Sequence, residues 1–260
     1  MYDLDSVIVP EFQMDDLDDI VDSKGKRVYK PSIDFLWCQK YGVMKEAVRA
    51  YMAATSYADA CVGGVLDSLA KSPYADNTIV ILWGDHGWHL GEKLRFRKAT
   101  LWREATQLPF MIHLPGMSQM QNCTRNVNLI DLYPTLIDLC GFPEKELDGK
   151  SIKPLLINSN LEWMPTVTTM GKVNHSVMSE KWHYITRSNG ADELYHLEKD
   201  PMEWTNLIAV NSKETSSVTQ QMRAYLPQKN AEEIRQTQIN RPLKKMDQSI
   251  KERRKLESLR

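Results

Sequence analysis

Thr78-Ile79-Val80-Ile81-Leu82-Trp83-Gly84-Asp85-His86-Gly87-Trp88-His89 is the stretch on which the reading of the chain turns. Its first half is apolar and β-branched without alternation. A strand of that kind is covered on both faces, which points to a parallel sheet packed between helices. Its second half sets two glycines around an adjacent carboxylate and imidazole. Open α/β sheets bind ligands beyond the carboxyl ends of their strands. Asp85 and His86 therefore stand where sites form, and Gly84 and Gly87 let the backbone come close to a ligand. The pair suits a metal site or an acid/base pair, and a turn with a surface histidine is the plain alternative.

Upstream, Met44, Val48, Tyr51, Thr55, Ala58, Val62, Val65 and Leu69 recur at spacings of four and three, the mark of a helix with one face against a core. Gly63 and Gly64 weaken that helix by about 1 kcal/mol each relative to Ala, so close packing against a neighbour is expected there. Downstream come a helical stretch at 101–106, an apolar run at 108–114 closed by Pro115-Gly116, and an amphipathic helix at 129–140 with Pro134 in its first turn and Gly141 as its stop. Helix, strand, helix, strand is an α/β order. After residue 157 the texture shifts to short β-type runs at 165–170, 173–178, 181–187 and 193–197. Ser188-Asn189-Gly190 between the last two is a hairpin signal, so a small antiparallel sheet is expected. Residues 1–34, with Pro10, Pro31 and the acids from Asp15 to Asp19, read as extended and solvated. From Ser212 the chain is polar and helix-forming, and the basic run 251–255 reads as a solvated helix face or frayed tail.

The 260 residues are enough for one large domain, or one domain with a small companion, and 42% hydrophobic with 26% charged residues excludes disordered and collagenous classes. A net charge of -1 gives no general reason to expect nucleic acid or an anionic membrane as partner. That average hides eight acids and no Lys or Arg in residues 1–22, against eight bases and three acids in residues 241–260. There is no basic-then-apolar leader at Met1 and no apolar run long enough for a membrane span. Cys38, Cys61, Cys123 and Cys140 show no C-x-x-C or zinc spacing and read as buried or incidental thiols. Cys123 and Cys140 could pair in an oxidising compartment.

The run 78–116, with Lys98 thirteen residues after Asp85 and Leu108-Pro109-Phe110-Met111-Ile112-His113-Leu114-Pro115-Gly116 beyond it, closely resembles the metal-binding half of the type I sulfatases. These are the formylglycine-dependent sulfuric ester hydrolases of the alkaline phosphatase superfamily. Asp15-Asp16-Leu17-Asp18-Asp19-Ile20, the helix from Tyr51, Leu129-Ile130-Asp131-Leu132-Tyr133-Pro134-Thr135-Leu136 and Glu193-Leu194-Tyr195-His196-Leu197-Glu198-Lys199-Asp200-Pro201-Met202-Glu203 resemble sulfatase segments as well. The Asp-His pair and Trp-His-Leu-Gly-Glu are most similar to the iduronate-2-sulfatase branch. The resemblance implies a partial alkaline-phosphatase-like sheet over residues 1–157, the antiparallel subdomain over 158–211 and a helical basic tail over 212–260. It also implies one calcium ion on Asp85 and His86, Lys98 on a sulfate oxygen, His89 within reach of a sugar, and a sulfated carbohydrate as substrate. Calcium prefers oxygen ligands, which leaves His86 the less natural donor of the two.

The family's nucleophile is a formylglycine made from Cys or Ser in a C-x-P-S-R type motif, and none of the four cysteines stands in one. Nor does an upstream metal-binding Asp pair follow a buried strand; Asp15-Asp16 matches a later, acidic connecting segment instead. The expectation is therefore the downstream part of a sulfatase, incomplete in its ligands and inactive alone, with an uncovered sheet edge. A phosphodiesterase or phosphonate hydrolase of the same superfamily, or a non-catalytic carbohydrate-binding module, is the alternative. A full-length relative would be periplasmic, secreted or lysosomal, and this chain leaves its own compartment open.

Overall fold

The first helices are set by their ends. Ser32 caps Ile33–Tyr41 (α1), accepting from the Phe35 N–H at 3.1 Å, and Gly42 closes it in a left-handed conformation at φ +63. Met44–Ala70 (α2) follows at once, with the extent the periodicity predicts. The computed structural model describes residues 2–118, 120–210 and 212–230. Within them α2 buries only Val48, while Tyr57 is 74% and Val65 69% exposed. The expectation of a core along the whole face is thus corrected: periodicity reports an apolar face, and the described chain covers only its start. Close packing at Gly63 and Gly64 is corrected too, since a Cβ at either position would meet nothing within 4 Å.

Val80–Trp83 (β1) pairs with Phe110–His113 (β4), Val80 opposite His113 and Trp83 opposite Phe110. The pairing is antiparallel, not parallel as expected. An unbroken apolar run signals that both faces are to be covered, and says nothing of the direction of the neighbouring strand. Among the described residues each strand has only the other as partner, and Trp83 and Met111 are exposed. Between them lie the short pair His89–Leu90 (β2) and Phe96–Arg97 (β3), then the single turn Arg103–Thr106 (α3). Leu132–Leu139 (α4) carries Pro134 in its first turn as read from the sequence, and Lys153–Ile157 (α5) is a helix the sequence reading did not anticipate.

Thr166–Thr169 (β5), His175–Met178 (β6), Trp182–Thr186 (β7) and Glu193–His196 (β8) form the expected antiparallel meander in that order. Gly190, at φ +76, supplies the turn before β8 and donates to the Arg187 carbonyl at 2.9 Å. Alternation sorts the two faces of this sheet. Val177, Tyr184 and Leu194 pack with Met222 of Lys213–Arg223 (α6), whose cap is Ser212. Ile185 and Tyr195 join the larger core with Leu17, Ile20, Phe35, Leu94, Leu101 and Trp102. The acidic start is thus not a solvated strap. Leu17 and Ile20 anchor it, and they take Asp16 down to 3% exposure with them. No described helix is long and apolar enough to cross a membrane. Cys123 and Cys140 are separate, exposed thiols. The basic run 251–255 lies outside the described residues.

Candidate functional site

β1 ends at Trp83, and the chain turns through Gly84 to put Asp85 at the strand's carboxyl end. Gly87 is required by a neighbour: a Cβ there would lie 2.1 Å from the Glu104 carbonyl oxygen, and its N–H donates to Ala105 at 2.9 Å. The loop is thereby pressed onto α3. His86 Nδ1 lies 2.8 Å from the Gly87 carbonyl, which only accepts, so Nδ1 carries the proton and Nε2 presents a lone pair. That lone pair accepts from the Lys98 ammonium at 2.5 Å, and Asp85 Oδ2 lies 3.1 Å from the same nitrogen. His86 thus meets one cation, with the Asp85 carboxylate beside the same ring nitrogen. The chain supplies that cation from Lys98, twelve residues on. The Trp88 ring stacks loosely on His86 at 6.2 Å and on Tyr51 of α2 at 6.1 Å, which ties the imidazole to the helix. Asp85, His86 and Lys98 line one open cavity of about 1630 Å³ together with Thr100, Arg103 and Arg125.

The structure thus brings together three of the four residues picked out by sequence. His89 is the exception: it is fully buried, with Nε2 2.8 Å from Thr100 Oγ1 and its ring edge-on to Trp102. The β2–β3 pairing turns it into the core, so it is not among the residues that line the cavity. Burial, aided by the charge of Arg95, pushes its imidazole down to about 4. Calcium takes six to eight oxygen ligands. Here one carboxylate and one imidazole nitrogen are offered, and among the described residues no group of three or more His, Cys, Asp or Glu is placed to hold a metal ion. These residues alone do not fit a calcium ion.

Behind the cavity wall lies a buried polar cluster that the sequence reading missed. Lys93, 1% exposed, donates to Asp16 Oδ1 at 2.8 Å and to the Glu203 carbonyl, and its ammonium lies over the Tyr195 and Trp102 rings at 5.1 and 5.5 Å. The Glu203 carboxylate accepts from His183 and from the Arg103 N–H, while Ser176 Oγ meets His183 Nε2 at 2.6 Å. Burial pushes Asp16 up to about 6 against the pull of Lys93. At Glu203 burial pushes the same way, but His183, the Arg103 N–H and Lys93 together hold the carboxyl below its ordinary range. Nothing in the sequence marks it: Lys93 stands among Glu92, Arg95 and Arg97, and Glu203 follows Lys199 and Asp200, so neither charge is set apart from its neighbours.

Comparison with known proteins bears on the same residues. The sulfatase family matches residues 11–142, and the family described as N-sulphoglucosamine sulphohydrolase, C-terminal, matches residues 84–232. A sulfatase of Formosa agariphila is 36% identical over 237 residues, covering 89% of this chain and 46% of that protein. The chain thus spans about half the length of that relative. Among solved structures, a 2-O GAG sulfatase is 26% identical with a TM-score of 0.62, over 70% of this chain and 42% of its own. The phosphonate monoester hydrolase from Silicibacter pomeroyi, 17% identical, shares the fold with a TM-score of 0.66 over 86% of this chain and 51% of its own. The two matched families overlap on residues 84–142, the stretch that carries Asp85, His86 and Lys98, and the chain belongs to the sulfatase family.

Proposed function

We propose that this chain forms the metal-side and sulfate-binding part of a sulfuric ester hydrolase acting on sulfated sugars, of the iduronate-2-sulfatase-like branch. The observation that carries the reading is the convergence of Asp85, His86 and Lys98 at the end of β1. An ammonium has three donors. One of Lys98's goes to His86 Nε2, and the others are free for a sulfate oxygen entering the cavity, where negative charge grows as the ester bond breaks. Asp85 offers its carboxylate to a cation, and His86 Nε2 joins it only by releasing Lys98; the remaining ligands, like the formylglycine nucleophile, lie outside these 260 residues in this reading. The domain division at 157 and 211 belongs to the same proposal, as does the place of the chain in the downstream half of the enzyme. The 2-O GAG sulfatase among the similar structures supports a sugar substrate.

The test uses the longest reading frame that contains this chain. It is expected to release sulfate from sulfated disaccharides, and Lys98→Ala to slow that release by about 10²–10³-fold, the cost of one lost transition-state donor. Faster cleavage of phosphonate or phosphate esters than of sulfate esters would move the protein to the other branch of the superfamily. Glycan binding without turnover, unaffected by Asp85→Ala, would make it a binding module.

A further inference from the structure

We propose that Lys93 is a positioning residue for Lys98: its buried ammonium, held by Asp16 and the Glu203 carbonyl, keeps the segment 93–99 in the conformation that delivers Lys98 to His86. The inference deepens the proposed role of Lys98 and rests on it for its functional meaning.

Among the described residues five non-glycine residues have positive φ. Four of them, Lys93 (+52), Leu94 (+51), Arg97 (+75) and Ala99 (+68), fall in this one segment. The fifth is Glu203 (+58), whose carbonyl receives Lys93. Left-handed backbone is unfavourable for side chains with a Cβ and persists only where the surroundings impose it. Here the strained residues and the acceptor of their anchor are the same small set. Besides the pairing of β3 with β2 and the packing of Phe96 and Arg95 against the core, three ties hold the segment. Leu94 lies in the core, with its carbonyl accepting from Ser32 N–H at 2.9 Å. Arg97 pairs with Asp34 at 2.7 Å, but its side chain is 60% exposed, a setting in which ion pairs hold weakly. The Lys93 and Asp16 side chains are 1% and 0% exposed, and one of the ammonium's two acceptors, Glu203, is itself pinned by His183 and Arg103. Removing that ammonium frees the start of a strained segment whose far end carries Lys98.

The experiment is a coupling measurement on the whole chain, read from the ¹H–¹³C cross-peak of the His86 ring at one fixed, neutral pH. Lys98→Met is expected to move that peak in the wild-type background. In Asp16→Asn/Lys93→Met, which removes both charges together and leaves neither buried alone, the peak is expected where Lys98→Met puts it, and adding Lys98→Met should move it no further. A thermal melt confirms that each variant is folded, and a merely structural Lys93 would leave the Lys98 effect intact in a folded double variant. If the double variant does not fold, the isosteric Asp16→Asn alone is read the same way. An undiminished Lys98 effect in either folded background overturns the proposal, as does a His86 peak indifferent to Lys98→Met in the wild type. Loss of coupling together with no sulfate release from the longer reading frame would leave the positioning intact and defeat the sulfatase reading instead.

Discussion

The meander β5–β8 and the ribbon β1/β4 are both antiparallel, yet they are finished to different degrees. Every residue of β8 is buried, and Tyr184, Leu194 and Tyr195 are fully enclosed by α6 on one side and the larger core on the other. Among the described residues the ribbon has two strands with no further strand on either outer edge, and α2, which precedes it in sequence, leaves its outer turns open. A two-stranded ribbon is marginal by itself. The site residues stand between these regions: Asp85 and His86 hang from the ribbon, while Lys98 is delivered by a segment pinned to the meander's core. The described chain therefore holds the segment that carries Lys98 firmly and its ribbon side loosely.

That contrast can be broken first at the core. Trp102 is fully buried and donates from Nε1 to Glu193 at 2.7 Å. Trp102→Ala is expected to cost about 3–5 kcal/mol in urea unfolding, and Trp83→Ala, on the exposed ribbon, under about 1 kcal/mol. Equal costs would mean that the ribbon is covered in solution, and sedimentation velocity would then show self-association through Trp83, Met111 and Val65.

Acid titration sharpens the comparison next. Asp16, pushed up to about 6, holds its proton more tightly folded than unfolded, so its contribution to stability is complete below pH 3.8 and lost as pH rises through 6. His89, pushed down to about 4, works in the opposite sense: its contribution is complete above pH 6.5 and lost as pH falls through 4. Each is worth up to about 3 kcal/mol, and in the wild type they offset one another across this window. Asp16→Asn should therefore show stability rising with pH across it, and His89→Gln stability falling. Identical urea-midpoint slopes in the three proteins would refute both assignments.

Glycines divide the regions in the same way. Gly87→Ala must displace the Glu104 carbonyl and is expected to cost about 1–3 kcal/mol. Gly63→Ala, with open space around it, should raise stability by about 0.5–1 kcal/mol through helix propensity. A destabilised Gly63→Ala would reveal a partner packed on α2. The smallest expected effect is at the site. Lys98 is exposed, so Lys98→Ala should leave thermal stability within about 0.5 kcal/mol. The purified chain alone should hydrolyse an aryl sulfate no faster than that variant.

From its sequence the protein could be read as α/β. Its long helix, its four-stranded meander and the Asp85–His86 pair beyond a strand end were legible too, because periodicity, turn residues and motif spacing are local properties, while Lys98 joined them through the resemblance to the sulfatases. Helix α1 carried its own signals in Ser32 and Gly42, and they were overlooked. Tertiary structure alone decided the direction of β4 against β1, the burial of Asp16, Lys93 and His89, and the exposure of the outer face of α2. Each of these depends on what the chain meets far along its length. An apolar run does not say which way its neighbour runs, and a charged residue is buried only where a distant carbonyl, carboxylate or ring is brought to meet it.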